Sequence, residues 1–532
     1  MKRRWNYNEI SDLSIFDQII ENRKIADSFI HLELSDLPPM SLMKDLAKAA
    51  DRIIEAGRRN EKIMIYGHDD VDGITSTYIL FDFLEKIGFQ NHVYYIPNRL
   101  LDTHGIPPRL IDRLIKEKFD LLITVDGGIS EFDNIKLLSE NGIESIITDH
   151  HLVQNKVPEA FAVVNPKQKD CKYPGEMLAG VGVAYLLVLQ IAEILSYQIE
   201  EKYLFWVAVG TVADKVPLIG VNRIFLKEVL NKWFMFKCES FQALKPYMIP
   251  ALNYNKRIRI IKFISRLLAN GREANGTNLS LYFLIASMEE KKVILQKLVQ
   301  KQRENEIKLN TMSEYLRSSV PVAAKNCIIF LDKEDKIESN LLGFSASQLS
   351  SRYLIPVIFL KYKNDIIIGE GRCTDGFNLM EAFSYCKKNL IQFGGHIKAA
   401  GFTARKDHLS LFTELFEEFV NDKLEQIENH KKIDIDAVFS IDEFEKFDNY
   451  LQTDYHLLQP FGQGNRNPYF MLKNFKPSRD HVKIRLKDAK RNLEPDEIYD
   501  VIFRQKGTGY SLVDHRKAEL PELKDSREVE LC

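Results

Sequence analysis

The stretch KIMIYGHDDVDGITS places His68, Asp69, Asp70 and Asp72 within five residues, directly behind an apolar run that reads as a buried strand. Carboxylates this close repel one another and resist leaving water, so the cluster is stable only around something cationic. His68, Asp70 and Asp72 alternate and can face one centre, while Gly73 lets the backbone turn into a following helix. Three further clusters repeat the theme: Asp126 in TVDGGIS, the run Asp149, His150, His151 in TDHH, and Asp214 in GTVADKVP. Carboxylate mixed with neutral imidazole is the donor set expected for Mn²⁺ or another borderline divalent ion, whereas Mg²⁺ favours oxygen alone. Two such ions about 3.5–4 Å apart, bridged by a shared carboxylate, would neutralise the charge and leave room for water and a phosphate oxygen.

Each cluster has a plainer reading by itself. Aspartates after strands are commonly helix N-caps, Asp-Gly is a common turn, and adjacent histidines are often surface residues. Their coincidence favours a metal site, because clusters that follow successive strands of a parallel sheet arrive at one edge.

The elements that must position these residues show in the patterning. From Lys62, β-rich apolar runs (KIMIY, HVYYIP, LLITVD, SIITDHH) alternate with amphipathic segments (STYILFDFLEKIG, PRLIDRLIKEKF, FDNIKLLSENG), which predicts βαβ units and an α/β, doubly wound parallel sheet over 61–287. A charged segment at 288–318, free of Gly and Pro and apolar at helical intervals, predicts a long connecting helix. A second, smaller α/β block is expected over 319–428, and short strands with turn chemistry over 429–532 predict a small β-barrel. Residues 1–60 are expected to be a helical segment packed on the first domain.

The 532 residues carry 73 Lys+Arg against 75 Asp+Glu, so no global basicity marks a polyanionic partner; a basic groove can still coexist with acidic surface elsewhere. Six scattered cysteines without CxxC spacing read as reduced thiols of a cytoplasmic protein, and the N-terminus lacks the pattern of an export signal. The run MLAGVGVAYLLVLQIAEIL contains Gln190 and Glu193 and reads as a buried helix rather than a membrane span.

The motifs are also similar, in order, to those of a known family. GHDDVDGITS, VDGGIS, TDHH and GTVADKVPL resemble the four motifs of the DHH phosphoesterases, and GGHIKAAG resembles the signature of the DHH-associated domain. YIPNR, LAGVGVAY, SRLLANGR, GFSASQL, GRCTDGFNL and PFGQGN are similar to segments of the RecJ branch of that family, bacterial exonucleases specific for single strands. The resemblance runs from near Leu46 into the C-terminal barrel, which would be an OB-like domain. It implies a 5′→3′ exonuclease that hydrolyses single-stranded DNA to 5′-mononucleotides in repair and recombination, using two divalent ions, Mn²⁺ first and Mg²⁺ as the alternative. By resemblance His68, Asp70 and Asp126 hold one ion, and Asp72, Asp126, His150 and Asp214 hold the other. His151 would face the scissile phosphate, and Asp149 would orient its neighbours.

For the nucleic acid, the resemblance points to Arg99, Arg272, Ser347 and Arg372, and to Gly394, Gly395 and His396 as a phosphate cradle; the plainer reading of that glycine pair is a tight turn between strand and helix. Phe461, Tyr469, Phe470, Lys483 and Arg485 are candidate stacking and backbone contacts of the barrel, where aromatics are more often core. The implied partners are single-stranded DNA, a helicase and a single-strand-binding protein, with a monomeric chain and no membrane. The alternatives are a DHH oligoribonuclease or dinucleotide phosphodiesterase, and a catalytically silent DNA-binding scaffold.

The chain departs from the pattern at His68, where aspartate is usual, at Glu370, where a small hydroxyl residue is common, at Leu268 in place of Asn, and in LLDTHGIPP after Arg99. Glu370 is expected to weaken recognition of a terminal phosphate. The sequence stops at REVELC inside an expected barrel strand, so either the barrel is expected to be incomplete or the sequence to be shortened.

Overall fold

The computed structural model describes residues 4–518 apart from 9, 11, 99–101, 103, 104, 155, 249, 251, 252, 274, 320–325, 430, 431, 481–483, 488–492, 507 and 508. The chain divides into two compact units, one made of Ile10–Gln302 with Asp436–Cys532 and the other of Met1–Glu9 with Arg303–Ile435.

In the larger unit, helix α1 (Ile15–Arg23) is followed by α2 (Leu46–Arg58) and then by alternating strand and helix: β1 (Ile63–Tyr66), α3 (Val71–Lys86), β2 (His92–Tyr95), α4 (Pro108–Lys116), β3 (Leu121–Val125), α5 (Phe132–Glu140), β4 (Glu144–Thr148) and β5 (Ala162–Val164). The five strands are all parallel, in the order β2-β1-β3-β4-β5. β1 and β3 are buried at every position, as expected of strands covered on both faces. One face packs against α2, α3, α6 (Gly180–Leu195) and α7 (Lys202–Asp214), and the other against α4 and α5. α6 is apolar all round because the sheet and neighbouring helices enclose it. No helix of the described residues is long and apolar enough to cross a membrane.

Strand β5 escapes a reading by periodicity: three residues are too few to display alternation, and prolines at 158 and 166 flank it. Farther along lie α8 (Tyr254–Leu268) and the 32-residue α9 (Met288–Ser319), which passes from one unit to the other.

The smaller unit holds β6 (Ile328–Leu331), α10 (Leu342–Tyr353), β7 (Val357–Lys363), β8 (Ile366–Arg372), β9 (Gln392–His396) and β10 (Ala399–Arg405). Its sheet runs β9-β10-β8-β7-β6, parallel only between β6 and β7. GGHIKAAG is therefore a β-hairpin and not a turn from strand into helix: Gly394, Gly395 and His396 pair with Gly401, Ala400 and Ala399 on an edge strand.

The C-terminal part of the larger unit contains β11 (Ala437–Ser440), β12 (Phe470–Phe475), β13 (Leu486–Lys487), β14 (Tyr499–Lys506) and β15 (Gly509–Lys517) in one sheet ordered β11-β12-β14-β15-β13. Among the described residues its end strands do not pair with each other, so the expected small barrel is seen as an open, bulged sheet. α1 packs on this sheet rather than on the parallel one. Gln18 accepts from the Val438 N–H at 2.9 Å, and Arg23 forks onto buried Asp436 at 2.8 and 3.0 Å. Arg223, fully buried, donates to the carbonyls of Phe29, Leu457 and Leu458 and lies over the Phe29 ring, joining three segments of this unit.

Candidate metal centre

Three strand ends and one helix end supply the cluster. After β1, Asp70 caps α3, accepting the Gly73 N–H at 3.0 Å, which leaves its other oxygen 2.9 Å from His68 Nδ1. The cap reading is thus correct for Asp70 and incomplete, because one carboxylate oxygen remains for a second task. Gly73 is required by close approach: a Cβ there would lie 2.4 Å from the His68 Cβ. Asp72, in the first turn of α3, is buried, and its two oxygens accept the N–H groups of Gly180 and Val181 at 2.7 and 2.8 Å. The start of α6 thereby steadies a buried carboxylate with its unpaired donors.

After β3, Asp126 adopts the left-handed region (φ +57°), which costs a non-glycine residue on the order of 1–2 kcal/mol and is characteristic of functional sites. Both its carboxylate oxygens are buried without a hydrogen-bond partner. It faces His150 Nε2 at 3.1 Å and His68 Nδ1 at 3.9 Å. After β4, Asp149 accepts the N–H groups of Ile129, His150 and His151 and the His151 ring Nδ1 at 2.7 Å. His150 Nδ1 lies 2.9 Å from the Leu178 carbonyl, so that nitrogen carries the proton and the Nε2 lone pair faces Asp126 and, at 3.9 Å, Asp72. Asp214 closes the ring from the last residue of α7, the negative end of a helix, where an anion is disfavoured unless a cation is near.

The ligand atoms fall into groups in which all lie within 4.8 Å of one another: His68, Asp70 and Asp126; Asp72, His150 and Asp214; and Asp126, His150 and His151. Asp126 joins the first group to the third, and His150 joins the third to the second. Burial, and then the charges of Asp70, Asp149 and Asp214, push the Asp126 carboxyl well above the ordinary range. Burial followed by the Asp126 charge does the same to Asp72. Asp149 is equally buried, but its His151 partner and the backbone N–H groups outweigh burial and hold it below the usual carboxylate value. Anions raised in this way, with orphaned oxygens between imidazole lone pairs, fit divalent cations.

Sequence reasoning passed over the loop after β5. Asn165 donates to the His151 carbonyl at 3.0 Å and Lys167 Nζ donates to the His150 carbonyl, so this loop clamps the backbone of both histidines. The signal was the segment AVVNPK, a short apolar run ending in polar residues like the other strand ends. It also passed over Gly180 as a site residue: a Cβ there would lie 2.4 Å from Asp126 Oδ1.

The residues predicted for nucleic acid are distributed differently. Arg272 stands beside the cluster, with Nε 2.6 Å from buried Asp69, the neighbour of Asp70. Arg99 and Lys483 lie outside the described residues. In the smaller unit Arg372 is engaged by Glu370 at 3.1 Å, Ser347 is half-exposed on α10, and Gly394, Gly395 and His396 are exposed. A Cβ at Gly394 would meet nothing, so no packing demands glycine there, whereas Gly395 has φ +139° and presses on β10. Phe470 is corrected: it is fully buried between Phe447 and Phe503 and cannot be a stacking platform. Tyr469 already carries the Arg466 and Arg504 guanidinium groups near its ring, Phe461 is half-exposed, and Arg485 is exposed.

Residues 62–211 match the DHH family, N-terminal domain. The chain is 30% identical over 496 residues to the single-stranded-DNA-specific exonuclease RecJ of Bacillus subtilis, covering 88% of this chain and 60% of that protein. To the Escherichia coli protein of the same name it is 29% identical, covering 73% of this chain and 71% of the other. Among solved structures, RecJ in complex with Mn²⁺ from Thermus thermophilus matches with a TM-score of 0.73 at 23% identity, over 97% of this chain and 80% of that one. An exonuclease RecJ bound to manganese matches with a TM-score of 0.60 at 27% identity, over 73% of this chain and 98% of the other. Residues 62–211 thus match the DHH family's N-terminal domain, and along most of its length the chain is similar to the RecJ exonucleases, spanning about 60–70% of the length of the Bacillus subtilis and Escherichia coli proteins.

Proposed function

We propose that the chain is a metal-dependent phosphodiesterase of the RecJ type, a 5′→3′ exonuclease that hydrolyses single-stranded DNA to 5′-mononucleotides in repair and recombination. The observation that carries the reading is the pair of ligand groups, His68–Asp70–Asp126 and Asp72–His150–Asp214, with the orphaned Asp126 carboxylate beside both. Two divalent ions, with Mn²⁺ favoured by the mixed Asp/His donors, would be held there. When bound they supply Lewis acidity, which screens the anionic phosphodiester and acidifies water.

The chain's own residues do the rest. Asp126 lies between the two sites. The Leu178 carbonyl fixes the His150 tautomer, Asp149 holds the His151 ring by Nδ1, and in its imidazolium form His151 donates from the other nitrogen to a non-bridging phosphate oxygen as charge develops. Arg272, Ser347, Arg372 and the Gly394–Gly395–His396 edge are assigned to the strand's phosphates, with Glu370 weakening Arg372 there. A helicase and a single-strand-binding protein are the proposed partners of a monomeric, cytoplasmic enzyme.

The test uses 5′- or 3′-labelled single-stranded DNA, duplex DNA and a dinucleotide, with Mn²⁺ or Mg²⁺, and compares the native chain with Asp126→Ala. Mononucleotides released from the 5′ end of single strands by the native chain alone support the proposal. Preference for the dinucleotide would make this a small-substrate phosphodiesterase, and inactivity of the metal-loaded native chain would make it a scaffold.

A further inference from the structure

Within the larger unit, α8 and the segment 455–467 line a cavity of ≈ 170 Å³ that includes none of the ligand residues. Its two walls differ in chemistry. α8 contributes Arg259 and Lys262, for which the described residues provide no carboxylate partner, and the adjoining Ile258. The opposite wall contributes Pro460 and the half-exposed Phe461, whose ring packs on Tyr455 at 5.2 Å between centroids. From β14, Gln505 brings a buried side-chain oxygen that has no hydrogen-bond partner.

An occupant must therefore carry negative charge for the two cations, a flat apolar face for Ile258, Pro460 and Phe461, and an N–H or O–H for the Gln505 oxygen. An unfilled buried acceptor costs about 1–3 kcal/mol, so a group that satisfies it gains selectivity as well as affinity. A nucleotide unit meets all three demands: its phosphate is the anion, its base is the flat face, and every base has an N–H on an edge. The cavity is also tied to the ligand cluster. Directly after Phe461, Gly462 and Gly464 press on Leu218 and Pro217, and the Gln463 carbonyl accepts from the Leu218 N–H at 2.8 Å. Leu218 is four residues beyond Asp214, at most about 14 Å along an extended chain.

We infer that this cavity is a nucleotide subsite that takes one base and its phosphate from a single strand whose end lies at the ligand cluster. The inference rests on the exonuclease reading and adds a site to it. A strand too short to reach the cavity gains nothing from it, and a longer one is gripped there.

The test measures binding of a fluorescein-labelled 20-mer oligo(dT) to the full chain without divalent ions, over a range of NaCl, for the native chain, Arg259→Gln/Lys262→Gln and Gln505→Leu. Arg259 and Lys262 are both exposed, so their replacement leaves the fold in place, checked by circular dichroism. Loss of one stacked and neutralised nucleotide raises Kd by about 5–150-fold, and loss of two cationic contacts lowers the salt slope by about 1.4. Cleavage of a dinucleotide in Mn²⁺ stays unchanged in the variants. The inference is overturned if the variants match the native Kd and slope while the native chain degrades single strands. It is equally overturned if dAMP competes as well, per nucleotide, as the 20-mer, which would make the cavity a product site. A native chain that degrades no single strand instead refutes the exonuclease reading.

Discussion

Replacing Asp126 by Asn keeps the shape of the residue and removes its charge, and the structure predicts opposite effects with and without metal. Asp126 is buried, and its ligand oxygen lies within 4.8 Å of that of Asp70. Two unit charges at that separation repel by about 3.5 kcal/mol at an effective dielectric of about 20. The nearby imidazoles offset part of this, leaving a net relief of about 2–3 kcal/mol. In EDTA, at a pH above the raised Asp126 value where both carboxylates are ionised, Asp126→Asn is therefore expected to be more stable than the native chain in urea unfolding followed by circular dichroism. In Mn²⁺ the order reverses: at a hundredfold excess over Kd each site stabilises the native fold by about 2.7 kcal/mol, and the variant forfeits that gain. A variant less stable than native in EDTA, or one that keeps the full Mn²⁺ gain, would refute the reasoning.

The sign of the pH dependence follows from the same groups. Asp126 and Asp72 have carboxyl pKa values raised by folding, so their contribution to metal-free stability is present below the ordinary carboxylate value, near 4, and is lost as pH rises through the raised values; unfolding in EDTA across about pH 4–8 should show the decline, and saturating Mn²⁺ should abolish it. Asp149, lowered by His151 and backbone donors, contributes the opposite way, and its share is lost as pH falls below about 4. His151→Ala is expected to lower kcat on single strands by about 10²–10³-fold with Mn²⁺ affinity retained in calorimetry. Gly180→Ala places a methyl group 2.4 Å from Asp126 Oδ1 and is expected to cost about 1–3 kcal/mol and to weaken Mn²⁺ binding, read by melting with and without the ion. Arg223→Ala removes the buried guanidinium that donates to three carbonyls and is expected to destabilise the fold by about 3–5 kcal/mol, measured by urea unfolding.

The ligand cluster was legible because its residues follow successive strands, and a parallel sheet sends such residues to one edge whatever the details of packing. Asp72 was legible as a candidate, yet its clamp by Gly180 and Val181 was not: a backbone contact across 108 positions leaves no periodicity to read. The Asn165–Lys167 clamp was lost with β5, a strand too short to alternate. GGHIKAAG hid its hairpin because the two-residue turn Ile397–Lys398 lacks the usual Asn-Gly chemistry, and the small residues after it read equally well as helix. Phe470 shows a further limit, since β-strand alternation gives two faces without saying which is core.

The most direct test is an anomalous difference map at the manganese edge from crystals grown in Mn²⁺. Two peaks are predicted, one enclosed by His68, Asp70 and Asp126 and the other by Asp72, His150 and Asp214. A map with no peak at these side chains, or with a single peak that leaves Asp126 uncoordinated, would contradict the account.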